Sequence, residues 1–98
     1  MNMQAMLQQA QRMQKDIQQK QEQINSSEYT GTSEMIDITI YGSKKIKSVN
    51  IKVKTLDEED VEVLEDMIRI AMNDAISKVE KDTEAKLGSY SKQLGGLF

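Results

Sequence analysis

Apolar residues recur at helical spacing through the first quarter of the chain. Met3, Met6, Ala10, Met13, Ile17 and Ile24 follow alternating steps of three and four, with Lys20 in the one remaining slot. That is a heptad seam. It predicts one long helix over about residues 2–25, ended by Asn25-Ser26-Ser27. The other faces are mostly glutamine: Gln4, Gln8, Gln9, Gln11, Gln14, Gln18, Gln19, Gln21 and Gln23. Glutamine is a fair helix former and carries no charge, so the helix is polar outside without repulsion along its length. At 1.5 Å per residue it is about 33 Å long. A helix of this length with one narrow seam needs a partner to bury it.

The apolar period then drops to two, which predicts a β region over about 28–54. Tyr29-Thr30-Gly31 reads as a short strand. Ile36, Ile38 and Ile40 alternate with Asp37, Thr39 and Tyr41 as a half-buried strand. Gly42-Ser43 begins a turn. Val49, Ile51 and Val53 alternate with Ser48, Asn50, Lys52 and Lys54 as a third strand, its lysines opposite the apolar row. Lys47 has the parity of that buried row, and a bulge at the strand start would release it. The two clear strands predict an antiparallel hairpin with lysines at its tip and on one face.

Helical spacing returns over about 57–87. Thr55 with Glu58, and Asp57 with Asp60, both have capping-box spacing. Acids in the first turn suit the positive end of the helix dipole. Val61, Leu64, Ile68, Ala71, Ala75 and Val79 form one apolar stripe, expected on the sheet. Val63, Met67 and Ile70 form a second, roughly 120° around, and need another surface. In so short a chain that surface is most economically a second copy. Glu65 with Arg69, Asp74 with Lys78, and Asp82 with Lys86 are i,i+4 pairs on the exposed face. Gly88 is read as the helix end, and residues 88–98 as a loose tail.

Composition narrows the chemistry. Ninety-eight residues make one domain, marginal as a lone monomer. With no Cys and no His, the thiolate nucleophile, the cysteine metal site and the usual neutral-pH proton shuttle are all missing. No nucleophile is paired with a base, so catalytic residues, cofactors, metal and small-molecule substrates are not expected. The acids clustered over residues 57–66 lack the alternating ligands and central glycine of a calcium loop. No apolar run spans a membrane, and the glutamine-rich start lacks a signal-peptide core, which predicts a cytoplasmic protein.

Charge is segregated. Between residues 38 and 56 there is no Asp or Glu, yet Lys44, Lys45, Lys47, Lys52 and Lys54 lie there. Residues 57–66 then carry seven acids. The net charge of −3 hides this split, and the local field decides where a polyanion touches.

The order helix, three strands, helix now meets specific residues. The run Asp60-Val61-Glu62-Val63-Leu64-Glu65-Asp66-Met67-Ile68, followed by Ala71-Met72-Asn73-Asp74-Ala75 and Lys78-Val79-Glu80, resembles the signature helix of the YbaB/EbfC family of nucleoid-associated proteins. Leu7-Gln8-Gln9-Ala10-Gln11-Arg12-Met13-Gln14-Lys15 resembles that family's first helix, Tyr41-Gly42 with Val49 and Ile51 its strand pattern, and Gly96-Leu97-Phe98 its closing residues. The resemblance covers nearly the whole chain. It departs in lacking a glycine-rich lead, in having no proline at the start of the last helix, and in a shorter tail. It implies an α+β fold: helix, three-stranded antiparallel β region and helix in an intertwined homodimer with projecting helical arms. It also implies binding of double-stranded DNA, nucleoid association and a role in DNA organisation and gene regulation.

Within that frame Lys44, Lys45, Lys47, Lys52 and Lys54 are the first DNA-contact candidates, and Arg12, Lys15 and Lys20 on the first helix the second. The plainer reading of the lysines is a solvated hairpin that discourages edge aggregation. Val63, Met67, Ile70, Leu64, Ile68 and Ala71 are the packing and dimer candidates. A rival reading is a prefoldin-like chaperone or interaction module, which also joins helices through β-hairpins but with much longer arms.

Overall fold

The computed structural model describes residues 2–95, with side chains through residue 90. Helix α1 spans Met3–Ser26. Asn2 opens it by accepting the Gln4 amide on its side chain at 3.0 Å. The serines close it: Ser26 Oγ donates to the Glu22 carbonyl at 3.0 Å and Ser27 Oγ to the Gln23 carbonyl at 2.6 Å. Strands β1 (Glu28–Thr32), β2 (Ile36–Tyr41) and β3 (Ile46–Ile51) form an antiparallel sheet in the order β1-β2-β3. A 3-10 turn over Glu58–Asp60 leads into helix α2, Val61–Gly95. Its start is held by the Asp57–Asp60 pair, the Asp60 carboxylate accepting the Asp57 amide at 2.9 Å, and not by Thr55 and Glu58. The fold is α+β, as the sequence predicts.

The core is small. Ile24 from α1, Ile36, Ile38 and Ile40 from β2, and Ala71, Ala75 and Val79 from α2 are its buried members. Half-buried Tyr29, Met35, Leu64, Met67, Met72, Ile76 and Leu87 pack around it. Each large aliphatic side chain buried here contributes about 1.5–3 kcal/mol. Gly31 sets how closely α2 lies on the sheet: a Cβ there would overlap the backbone of Ala71 and Ala75 and come within 2.9 Å of the Ala75 methyl. Small residues on both sides let helix and strand touch through their backbones.

Helix α2 covers β1 and β2 but makes no contact with β3. It also covers the outer edge of β1. Lys78 Nζ donates to the Thr30 carbonyl at 2.6 Å, and the Thr32 amide donates to Asp74 at 3.0 Å, a bond that lowers the Asp74 pKa. Tyr29 donates its hydroxyl to Asp82, which also takes Lys86 at 2.6 Å. Burial first, and Asp82 second, push the Tyr29 pKa up to about 12; Lys86 and then Tyr29 hold that of Asp82 below its usual value.

The signs of these two shifts set a pH window. The raised phenol stabilises the fold below pH 10 and stops doing so as pH climbs towards 12; the lowered carboxyl stabilises it above the ordinary Asp range and stops doing so on acidification. Tyr29→Phe is expected to cost about 1 kcal/mol near neutral pH, a charged-partner value discounted for partial exposure. The loss should shrink at both extremes. Urea midpoints measured from pH 3 to pH 11 check this.

Several expectations are corrected. Gly88 does not end α2, which continues to Gly95. A helical glycine costs only about 1 kcal/mol. Packing of Leu87 on the core and of Tyr90 against Lys20 outweighs it. Of the tail read as loose, residues 88–95 are helical and 96–98 lie outside the described residues. Strand β3 ends at Ile51, before Val53 and Lys54, because β2 starts opposite it at Ile36. The Lys52 amide makes the last link, to the Met35 carbonyl at 2.7 Å. Arg69 pairs with Asp66 at 3.0 Å, one residue closer than Glu65; the Asp74–Lys78 and Asp82–Lys86 pairs form as expected.

The two stripes of α2 also divide differently. The first is buried only from Ala71 onward, and Val61 and Ile68 stay exposed. Met67, from the second stripe, packs on the core. The apolar row of β3 is not buried at all: Ile46, Val49 and Ile51 are about half exposed (56%, 53% and 47%). Leu56, Val61, Val63, Ile68 and Ile70 are exposed as well. The cause is the position of α2, which reaches no further across the sheet than β2. No helix among the described residues is long and apolar enough to cross a membrane.

Candidate nucleic-acid interface

The lysine-bearing hairpin is built on the end of α1. Tyr41, Gly42, Ser43 and Lys44 form a turn closed by the Lys44 amide on the Tyr41 carbonyl at 2.8 Å. The Gly42 amide donates to the Ser27 carbonyl at 3.0 Å and the Ser43 amide to the Asn25 carbonyl at 3.3 Å. A Cβ on Gly42 would overlap the backbone of Ile24, so only glycine permits this seat. The turn is thus fixed where the carbonyl end of α1 adds negative potential, which favours nearby lysines.

Lys44 has φ 73°, and no other non-glycine residue among those described has positive φ. The left-handed region costs a side-chain-bearing residue about 1 kcal/mol or more, and glycine is the usual solution. A lysine held there puts a cation at the tip at some expense in stability. Lys44→Gly is expected to raise stability by about 0.5–1 kcal/mol. If the tip meets DNA, the same change weakens duplex binding. Denaturant midpoint and duplex affinity, measured side by side, should move in opposite directions.

A bulge separates the Thr39–Ser48 and Ile40–Ile46 pairs, with Lys47 as the extra residue. It takes Lys47 out of the apolar row of β3, as its position at the strand start allows. Lys47 then crosses the sheet to form an ion pair with Glu28, whose hydrogen bond raises the Lys47 pKa. Lys52 is also engaged. It donates to the Ser33 carbonyl at 2.6 Å and lies 3.2 Å from an Asp37 carboxylate oxygen that lacks a hydrogen bond. Among the described residues, no ion pair or side-chain hydrogen bond occupies the ammonium groups of Lys44, Lys45 and Lys54.

The five lysines are therefore not equivalent. Lys44 and Lys45 form a cationic tip, Lys54 follows the strand, and Lys47 and Lys52 brace the polar face. The acids that tie the last two are separated from them in sequence by at least 15 residues, Glu28 by 19 and Asp37 by 15. Only strand register brings them together, so charge counting along the chain misses them.

The second candidate group is elsewhere. Lys20 is half-buried, donating to the Tyr90 hydroxyl at 3.0 Å with its ammonium 4.6 Å from the ring centroid. It clasps α1 to α2. Arg12 and Lys15 are exposed further up α1, where they line a shallow groove with Gln8 and Gln11. The structure does not join them to the hairpin tip: they lie midway along α1, and the tip sits on its C-terminal end. No cluster of three metal-ligating side chains occurs among the described residues.

The fold and site define a small helix–sheet–helix protein that carries Lys44 and Lys45 on a braced hairpin tip. The chain belongs to the YbaB/EbfC DNA-binding family, whose model matches residues 1–94. It is 42% identical over 98 residues to a nucleoid-associated protein of Enterococcus faecalis, covering 98% of this chain and 94% of that one. It is 44% identical over 96 residues to a nucleoid-associated protein of Lactococcus lactis subsp. cremoris, covering 96% and 97%. Among solved structures it is similar to an uncharacterised protein, HP0035, of Helicobacter pylori. That match has a TM-score of 0.69 at 21% identity and covers 87% of this chain and 91% of that one. It speaks for the fold alone. The family match leaves the prefoldin-type reading without support.

Proposed function

We propose that this chain binds duplex DNA as a homodimer, through the phosphate backbone, and helps organise the nucleoid and influence expression of the genes it covers. The observation that carries the reading is the hairpin tip. Lys44 and Lys45 have no ion-pair partner among the described residues, are fixed by the seat of Gly42 on α1, and in one case are held at positive φ. Lysines supply point charges to phosphates and lack the planar fork that reads base edges. Sequence preference is therefore weak. Relatives called nucleoid-associated proteins support the reading.

The dimer is part of it. One strand, β3, combines an edge without a neighbour and an uncovered apolar row. Apolar Leu56, Val61, Val63, Ile68 and Ile70 are exposed too. Exposed apolar groups in such number mark an interface. The only other sheet edge, β1, is occupied by Lys78 and Asp74. A second copy joined through the β region doubles the lysine tips.

Competition between a labelled duplex and unlabelled duplexes of unrelated sequence tests the reading. Equal displacement by all of them is expected. Displacement by one sequence alone would replace backbone contact with base readout.

A further inference from the structure

The heptad seam of α1 is only half used within the chain. Met13, Ile17 and Lys20 are half-buried and Ile24 is buried, because this half of α1 lies against α2. Every residue from Asn2 to Arg12 is exposed, Met3 at 78%, Met6 at 51% and Leu7 at 61%. The same seam runs on past the end of its partner as a bare arm.

We propose that this arm is a self-association surface, on which the N-terminal halves of α1 from two copies pair antiparallel. Continuity is the first argument. An a/d seam that already packs a helix below continues in register above, and what a/d positions fit is another helix with the same spacing. Charge is the second. Residues 2–11 carry no charged side chain, so an acidic or basic partner gains nothing there and an identical copy meets no repulsion. Glutamine is the third. Gln9, with Asn2 one heptad above it, flanks the seam and offers both donor and acceptor, so like can satisfy like.

Direction follows from the helix dipoles. A parallel pair aligns both dipoles side by side, and an antiparallel pair opposes them. An antiparallel pair centred near residue 8 sets Met3 on Met13, Met6 on Ala10 and Arg12 level with Gln4. Eleven residues make a weak contact alone. Two arms on a dimer, or many dimers gathered on one duplex, raise its effective concentration, and the arms then link dimers together.

The chain has no cysteine, which makes disulfide trapping clean. Full-length Met6→Cys and Ala10→Cys proteins are mixed under mild oxidation without DNA and run on non-reducing gels. The expected result is a mixed disulfide more abundant than either homodisulfide, and none with Gln8→Cys, which lies level with the pair centre on the opposite face. A mixture that cross-links no better than Gln8→Cys overturns the proposal, whether the arm is then covered by residues beyond Gly95 or by another protein. Sedimentation velocity is the second readout. Met3→Gln with Met6→Gln and Leu7→Gln should remove species larger than the base oligomer while helical circular dichroism stays unchanged; persistence of those species overturns it too. The pairing is tested without DNA, so its failure leaves the duplex-binding reading standing.

Discussion

Lys44→Glu with Lys45→Glu is expected to lower duplex affinity at least about a hundredfold at moderate salt, with the fold intact. Both side chains are exposed and make no ion pair among the described residues. Glutamate carries the same Cβ as lysine, so the strain at position 44 is retained. The free lysines Lys44, Lys45 and Lys54 give six phosphate contacts in a dimer, so log affinity should fall against log salt with a slope near −5. The double variant removes four of the six, and its slope should drop to about −2. Anisotropy titrations at several salt concentrations, with circular dichroism on the same samples, check both numbers. The same reversal at Lys47 and Lys52 should act differently. It breaks contacts to Glu28, Asp37 and the Ser33 carbonyl, so it should lower stability first and affinity second.

Val49→Asp with Ile51→Asp is expected to convert the proposed dimer to monomer. Both side chains are about half exposed within one chain, so carboxylates there cost the monomer little. Buried at a two-fold interface, the same four carboxylates would be desolvated and close together, a cost of several kcal/mol per ion. Light scattering should show the mass halve at micromolar protein. Duplex affinity should fall with it, because each monomer brings only half the lysines. An unchanged mass would move the interface off β3.

The sequence made much of this legible, for physical reasons that can be named. The period of the apolar residues gave both helices and three strands, because burial on one face imposes that period. The Asn25-Ser26-Ser27 stop holds because serine hydroxyls satisfy the last carbonyls of α1. Periodicity does not say what covers a face. Val49 and Ile51 carry the pattern of a buried row and are exposed, since α2 sits on Gly31 and reaches only β2. Gly88 looked like a stop and is not, because its penalty is smaller than the packing on either side of it.

The site was half legible. The lysine-rich, acid-free stretch marked the hairpin. Which lysines are free could not be read, because Glu28 and Asp37 reach theirs through register and a bulge. Nor could Arg12 and Lys15 be placed relative to the tip. Gly42 marks the turn ahead of the five lysines in the sequence, but only the structure shows that its missing Cβ lets the turn sit on α1.

Anisotropy of a labelled random-sequence duplex against the unmodified protein across a salt series decides whether the hairpin meets phosphate. Saturable binding with a slope of about −5 is expected, from Lys44, Lys45 and Lys54 in each copy of the proposed dimer. No binding at low salt, or binding that does not weaken as salt rises, would contradict this contact.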